Sequence, residues 1–240
     1  MSTITFVRHA QASFFSEDYD QLSAHGEQQA KHLGEFWKFH NTDLSEVIVG
    51  SCRRHRQTAE IALGASGQSA TDIVELREFD EHQVDQFVLQ HKESLVEEFP
   101  ELQSLVDALE KATEPHVQAR DFQRLFEAVS WRWLAGDVVR PKIESWLDFH
   151  DRVNRGISQI LTGTKDSPRR GRHIAVFSSV GPITIAFQRA TGCSDDAALS
   201  TGWRLRNCSI TQALFSVDRL TLDSFNTLSH LPDRNDWSYR

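Results

Sequence analysis

Ile4-Thr5-Phe6-Val7-Arg8-His9-Ala10 is the stretch from which the rest of the chain is read. Residues 4–7 are β-branched or aromatic with no breaker among them, the composition of a strand buried in a sheet. That strand ends on a guanidinium and an imidazole, and the small residues Ala10 and Ala12 follow. Open α/β folds bind ligands outside the carboxyl ends of their strands, so Arg8 and His9 would stand where a phosphate is held. Taken alone, the dipeptide reads as a surface arginine beside a structural histidine. Its neighbours along the chain change that reading.

Residues 47–49, 174–177 and 210–215 share the strand character, with 73–76 and 220–225 as weaker strands. Between them, residues 26–39 carry Ala30, Leu33, Phe36 and Trp37 at helical spacing, with Ser23 and Glu27 as a start signal. Residues 56–63 continue as a second helix. This alternation implies an α/β fold, a three-layer sandwich in which helices flank a mostly parallel central sheet. Residues 84–140 differ, with Leu102, Leu105, Val106 and Leu109, then Phe122, Leu125, Phe126 and Val129, at helical spacing. They read as a helical insertion within a single domain of residues 1–240, expected to roof the strand ends. Trp131-Arg132-Trp133 inside it is expected to anchor the insertion to the core.

With 240 residues, 39% of them hydrophobic, the chain can bury a sizeable core. Its formal net charge of −8 argues against nucleic-acid binding, which needs a cationic surface. An anion site must therefore be a local cluster of Arg and His. No run reaches membrane-spanning length and no signal peptide is evident, so a cytoplasmic protein without a membrane partner is expected. Cys52, Cys193 and Cys208 are an odd number without CxxC spacing, which indicates neither a disulfide framework nor zinc. No metal or cofactor is expected.

Gly50-Ser51-Cys52-Arg53-Arg54-His55-Arg56-Gln57-Thr58-Ala59-Glu60 follows the strand at 47–49. Ser51 is the expected N-cap, which places Arg53, Arg54 and Arg56 in the first turns of a helix. Cations are unfavourable there, because the helix dipole already makes that end positive. An anion among them, held by guanidinium groups and backbone N–H groups, would resolve the conflict. Leu76-Arg77-Glu78-Phe79-Asp80-Glu81-His82 follows another strand. A carboxyl group near a bound phosphate keeps its proton to higher pH, as a general acid requires.

Together these segments resemble the histidine phosphatase superfamily, which includes the cofactor-dependent phosphoglycerate mutases. Arg8-His9-Ala10-Gln11 is similar to its Arg-His-Gly motif, with Ala10 in the glycine's place. Leu22-Ser23 with Gly26 and Gln29-Ala30 resembles its L(S/T)xxGxxQA helix start. Arg54 with Thr58-Ala59 resembles RxxxTA, and Leu76 with Glu78 resembles LxE.

The resemblance implies that His9 is a nucleophile forming a phosphohistidine, that Arg8 and Arg54 clamp the phosphoryl oxygens, and that Glu78 handles the leaving-group proton. Gln11 and Ser13 are candidate substrate contacts. The family carries a second histidine after a late core strand; here Ser179 occupies its place in Phe177-Ser178-Ser179-Val180-Gly181. A serine can donate a hydrogen bond but brings no charge, and losing one such donor costs on the order of 10² to 10³ in rate. His82 and His230 are the histidines placed to compensate, each with an ordinary structural role as the simpler expectation; His230 is retained as a substrate contact. The expected activity is metal-independent hydrolysis of a small phosphomonoester. The alternatives are a weakly active or inactive phospholigand-binding module and a phosphomutase.

Overall fold

A computed structural model describes residues 2–13, 20–138, 140, 143–163 and 171–239. The order is β1 (Ser2–Arg8), α1 (Ala24–Phe39), β2 (Glu46–Val49), α2 (Arg53–Ser66) and β3 (Ile73–Glu75), then α3 (Val84–Gln90), α4 (Lys92–Glu98), α5 (Gln103–Lys111) and α6 (Pro115–Ala135). There follow α7 (Trp146–Thr162), β4 (His173–Ser178), α8 (Val180–Thr191), α9 (Asp195–Gly202), β5 (Ile210–Phe215) and β6 (Leu220–Thr227). Among the described residues, no helix is long and apolar enough to cross a membrane.

The strands form one mixed sheet in the order β3-β2-β4-β1-β5-β6. β3, β2, β4 and β1 pair in parallel, whereas β5 is antiparallel to both β1 and β6. β1 and β4 lie at the centre, which is why their sequences read as continuous apolar runs: Ile4, Val7 and residues 174–177 are all 0% exposed. Register sets the future site. Arg8 is opposite Ser178 and Val49 opposite Phe177, so His9, Ser179 and Gly50 leave the sheet side by side. Because β5 is antiparallel, its beginning lies at this same edge, with Ile210 opposite Val7.

α1 begins as expected, with the Ser23 hydroxyl accepting from the Gly26 N–H. α2 departs from expectation, since its N-cap is Cys52 and not Ser51. The Asp80 carboxylate takes both the Ser51 hydroxyl and its backbone N–H, so this serine ties two loops together.

Two compact units are present, Met1–Glu81 with Arg152–Arg240, and His82–Asp151. The second has its own core, in which Leu95, Leu102, Phe122, Leu125 and Trp133 are buried. Trp133 stands edge-on to Trp146 at 5.3 Å and donates its indole N–H to the Glu144 carbonyl at 2.8 Å. His82 is packed among Phe126, Trp133 and Phe149, with ring centroids at 6.0, 4.9 and 5.4 Å. Trp133 thus anchors this unit internally, while Trp131 is exposed.

Candidate functional site

The β1 carboxyl end delivers His9 into a nearly closed setting, where the side chain is 5% exposed. Its Nδ1 lies 2.8 Å from the Ala10 carbonyl oxygen. A carbonyl can only accept, so Nδ1 carries the hydrogen and Nε2 keeps its lone pair. Burial, then Arg54, Arg8 and His55, hold this imidazole well below its ordinary pKa. His9 is therefore neutral at neutral pH, the state a nucleophile needs. Its backbone is held on both sides: N–H to the Ser178 carbonyl, and carbonyl to the N–H of Cys208 and the Asn207 amide.

Arg8 and Arg54 are both 6% exposed. Arg8 Nη1 donates to the Leu205 carbonyl at 2.6 Å, in the loop preceding β5. Arg54 lies in the first turn of α2, where Nη1 donates to Asp20 Oδ1 at 2.7 Å and Nη2 reaches Ser179 Oγ at 3.4 Å. The other Asp20 oxygen accepts the Arg53 backbone N–H at 2.8 Å. An anion does sit at this helix start, and it is the chain's own carboxylate, offsetting the unfavourable placement of the arginines.

The remaining motif residues hold the scaffold. Thr58 Oγ1 accepts the Ala10 N–H at 3.1 Å and donates to the Arg54 carbonyl at 2.7 Å, tying the nucleophile's loop to the clamp's helix. Gln29 accepts the Gln11 N–H. At Gly26 a Cβ would lie 2.1 Å from the Gln11 carbonyl oxygen, so only glycine permits α1 this approach. Gln11 Oε1 accepts from the Ser23 hydroxyl, and Ser13 Oγ donates to the Leu22 carbonyl; both polar groups thus meet the start of α1.

Glu78 is placed differently. Its carboxylate lies 3.5 Å from Gln159 Nε2 of α7, and its Cβ would be 2.6 Å from a Cβ on Gly156. Arg152 of α7 fixes this loop by donating to the carbonyls of Arg77, Glu78 and Asp80. Among the acidic groups after β3, Glu81 is the one at the start of α8, accepting the Gly181 N–H two residues past Ser179. His230 packs 6.2 Å from the Phe36 ring, is 5% exposed, and has its pKa pushed down to about 4, chiefly by burial and then by His32.

Missed from sequence, besides Asp20 and Glu81, is His55. It follows Arg54 at an unspecified position of the RxxxTA pattern, yet its ring is 0% exposed and lies 5.7 Å from that of His9. Its Nε2 is 2.7 Å from Ser179 Oγ. A signal existed: His55, Ala59 and Ala62 recur at helical spacing on a buried face, so the imidazole could not face solvent. Cys52, beside this group, is pushed up to about 11 by burial and stays a thiol. Among the described residues, no three His, Cys, Asp or Glu side chains converge as a metal-binding group.

Solved structures that share this architecture include the following. Phosphoglycerate mutase from Bacillus anthracis str. Sterne is 18% identical, with a TM-score of 0.64 over 96% of this chain and 95% of that one. The alpha-ribazole phosphatase from Shigella flexneri is 16% identical, with a TM-score of 0.65 over 94% and 96%. A mutant phosphoserine phosphatase from Entamoeba histolytica, in complex with phosphoserine, is 15% identical, with a TM-score of 0.62 over 96% and 100%. The Entamoeba histolytica phosphatase is also solved with 3-phosphoglyceric acid. No curated protein matches significantly. The family model of the histidine phosphatase superfamily, branch 1, matches residues 4–124 and 116–228, and the chain belongs to that superfamily.

Proposed function

We propose that this protein is a cytoplasmic, metal-independent phosphatase that hydrolyses a small phosphomonoester through a phosphohistidine on His9. The observation that carries this reading is the state of His9: buried, neutral, with Nδ1–H engaged by Ala10 and the Nε2 lone pair left to attack, between two buried arginines. Nε2 attacks phosphorus, the P–O bond to the leaving group breaks, and a carboxyl group protonates the departing oxygen. Water then attacks the phosphohistidine, gives its proton to that carboxylate, and restores the imidazole with release of orthophosphate. Arg8 and Arg54 supply fixed charge to the transferring group without reorganisation, so no metal is needed for that purpose. Small phosphorylated ligands in the Entamoeba histolytica neighbour, phosphoserine and 3-phosphoglyceric acid, are consistent with a small phosphomonoester here.

For the proton transfer, the family resemblance favours Glu78, whereas position at the start of α8 favours Glu81. The test is a metal-free phosphomonoester panel that includes p-nitrophenyl phosphate. His9→Ala is expected to abolish turnover together with acid-labile, base-stable phosphorylation of the protein; full activity in that variant would sink the mechanism. Of Glu78→Gln and Glu81→Gln, the true proton donor is the one whose loss slows poor leaving groups more than good ones. Phosphate binding without turnover would instead identify a phospholigand-binding module.

A further inference from the structure

Ser179 stands where the superfamily's second histidine is expected, and the structure brings a different histidine to it. His55 comes from α2, 124 residues away in sequence, and its Nε2 lies 2.7 Å from Ser179 Oγ. Both side chains are buried, at 0% and 1% exposure. The seat is shaped for the ring: a Cβ on Gly50 would lie 2.6 Å from His55 Nδ1. Arg54 Nη2, 3.4 Å from the same hydroxyl oxygen, makes Ser179 the neighbour of any phosphoryl oxygen held by that guanidinium.

A hydroxyl has one hydrogen to give. When His55 Nε2 is bare, Ser179 donates that hydrogen to the ring and offers a phosphate nothing. When Nε2 carries a hydrogen, the ring donates to Ser179 Oγ and the hydroxyl hydrogen turns to the pocket. We infer that Ser179 and His55 act as one composite donor, His55 Nε2–H to Ser179 Oγ and Ser179 O–H to the phosphoryl oxygen, in place of a single histidine. This rests on the reading that the pocket takes a phosphoryl group.

The charge logic is conditional on the ligand. Burial, and then Arg54, hold His55 neutral while the pocket lacks a phosphate. Among the described residues, the groups facing the ring are Arg54, His9, the Ser179 hydroxyl and the Gly50 backbone, none of them anionic. An incoming phosphate dianion reverses the sign of the local field and favours a hydrogen on Nε2. His55 thus gives its donor, and its charge, when a phosphate arrives.

The test uses the full chain labelled with ¹⁵N-histidine and titrated with inorganic phosphate at neutral pH. The His55 Nε2 resonance is expected to move from the bare to the protonated range as phosphate saturates, and this movement is expected to vanish in Ser179→Ala. In turnover, His55→Ala and Ser179→Ala should each lower kcat by about 10²-fold with much smaller changes in KM. The double variant should be no worse than the worse single, and Ser179→His in the His55→Ala background should recover at least about tenfold, an outcome a merely structural histidine would not give. Phosphate that moves the His9 resonances but leaves His55 unmoved overturns the pairing alone. Phosphate that moves neither overturns the pocket reading and the pairing with it, and kcat within twofold of wild type in His55→Ala also overturns the pairing.

Discussion

Single residues at the sheet edge show burial outweighing local composition. His9, His55 and His230 are each held neutral by burial first, with neighbouring arginines adding to it at His9 and His55 and His32 at His230. For His230 the consequence is measurable. Its folded-state pKa of about 4 lies below the ordinary 6.5, so the unfolded chain takes up a proton that the folded chain refuses. The stabilisation from this group is complete above the unfolded value, shrinks as pH falls from 6.5 towards about 4, and is constant below that. Between pH 7.5 and 5 the loss is on the order of 2 kcal/mol. Neither ring nitrogen makes a hydrogen bond of good geometry among the described residues, although the Cys208 backbone lies beside the ring, so His230→Leu removes the titration while keeping an apolar group in the site. Urea unfolding at the two pH values should show the acid loss in that variant reduced by about that amount; an unchanged acid loss would refute the assignment.

Among the secondary-structure elements, α1 and α2 pack through glycine contacts that reverse a usual preference. A helical Gly→Ala change ordinarily stabilises by roughly 0.5–1 kcal/mol. At Gly64 in α2 an added methyl would meet nothing within 4 Å, so this position should follow that rule. At Gly34 in α1 the methyl would lie 2.2 Å from the Ala62 carbonyl oxygen and 2.7 Å from Ala65 Cβ. Backbone cannot swing aside as a flexible side chain can, so Gly34→Ala should destabilise by about 1–3 kcal/mol. Thermal melts of the two variants should move in opposite directions. The existence of these helices was legible from residues 26–39 and 56–63, because amphipathic spacing is a local property. The start of α2 was not, since Ser51 looks like a cap until Asp80, brought in by β3, takes its hydroxyl.

Over the full chain, the division into two units predicts uneven stability. Trp133 is buried in the core of His82–Asp151, and its truncation to alanine should cost about 3–5 kcal/mol within that unit. Hydrogen exchange of Trp133→Ala should show lost protection in α3 to α6 while β1 and β4 keep theirs. Uniform loss across all of them would mean that both units unfold as one. The strands were legible from the apolar runs at 4–7 and 174–177, and the superfamily from the residues around His9, Arg54, Thr58 and Glu78. These signals are short-range, readable within a turn of helix or a few residues of strand. Which side chains share the site emerged only from the folded arrangement. Asp20 on Arg54, Glu81 at the start of α8 and His55 on Ser179 meet because the β2-β4-β1 order aligns chain segments far apart in sequence. Hydrogen bonding and desolvation act over ångströms in space, so the partner of Ser179 could be found only once the strands leading to these residues were placed.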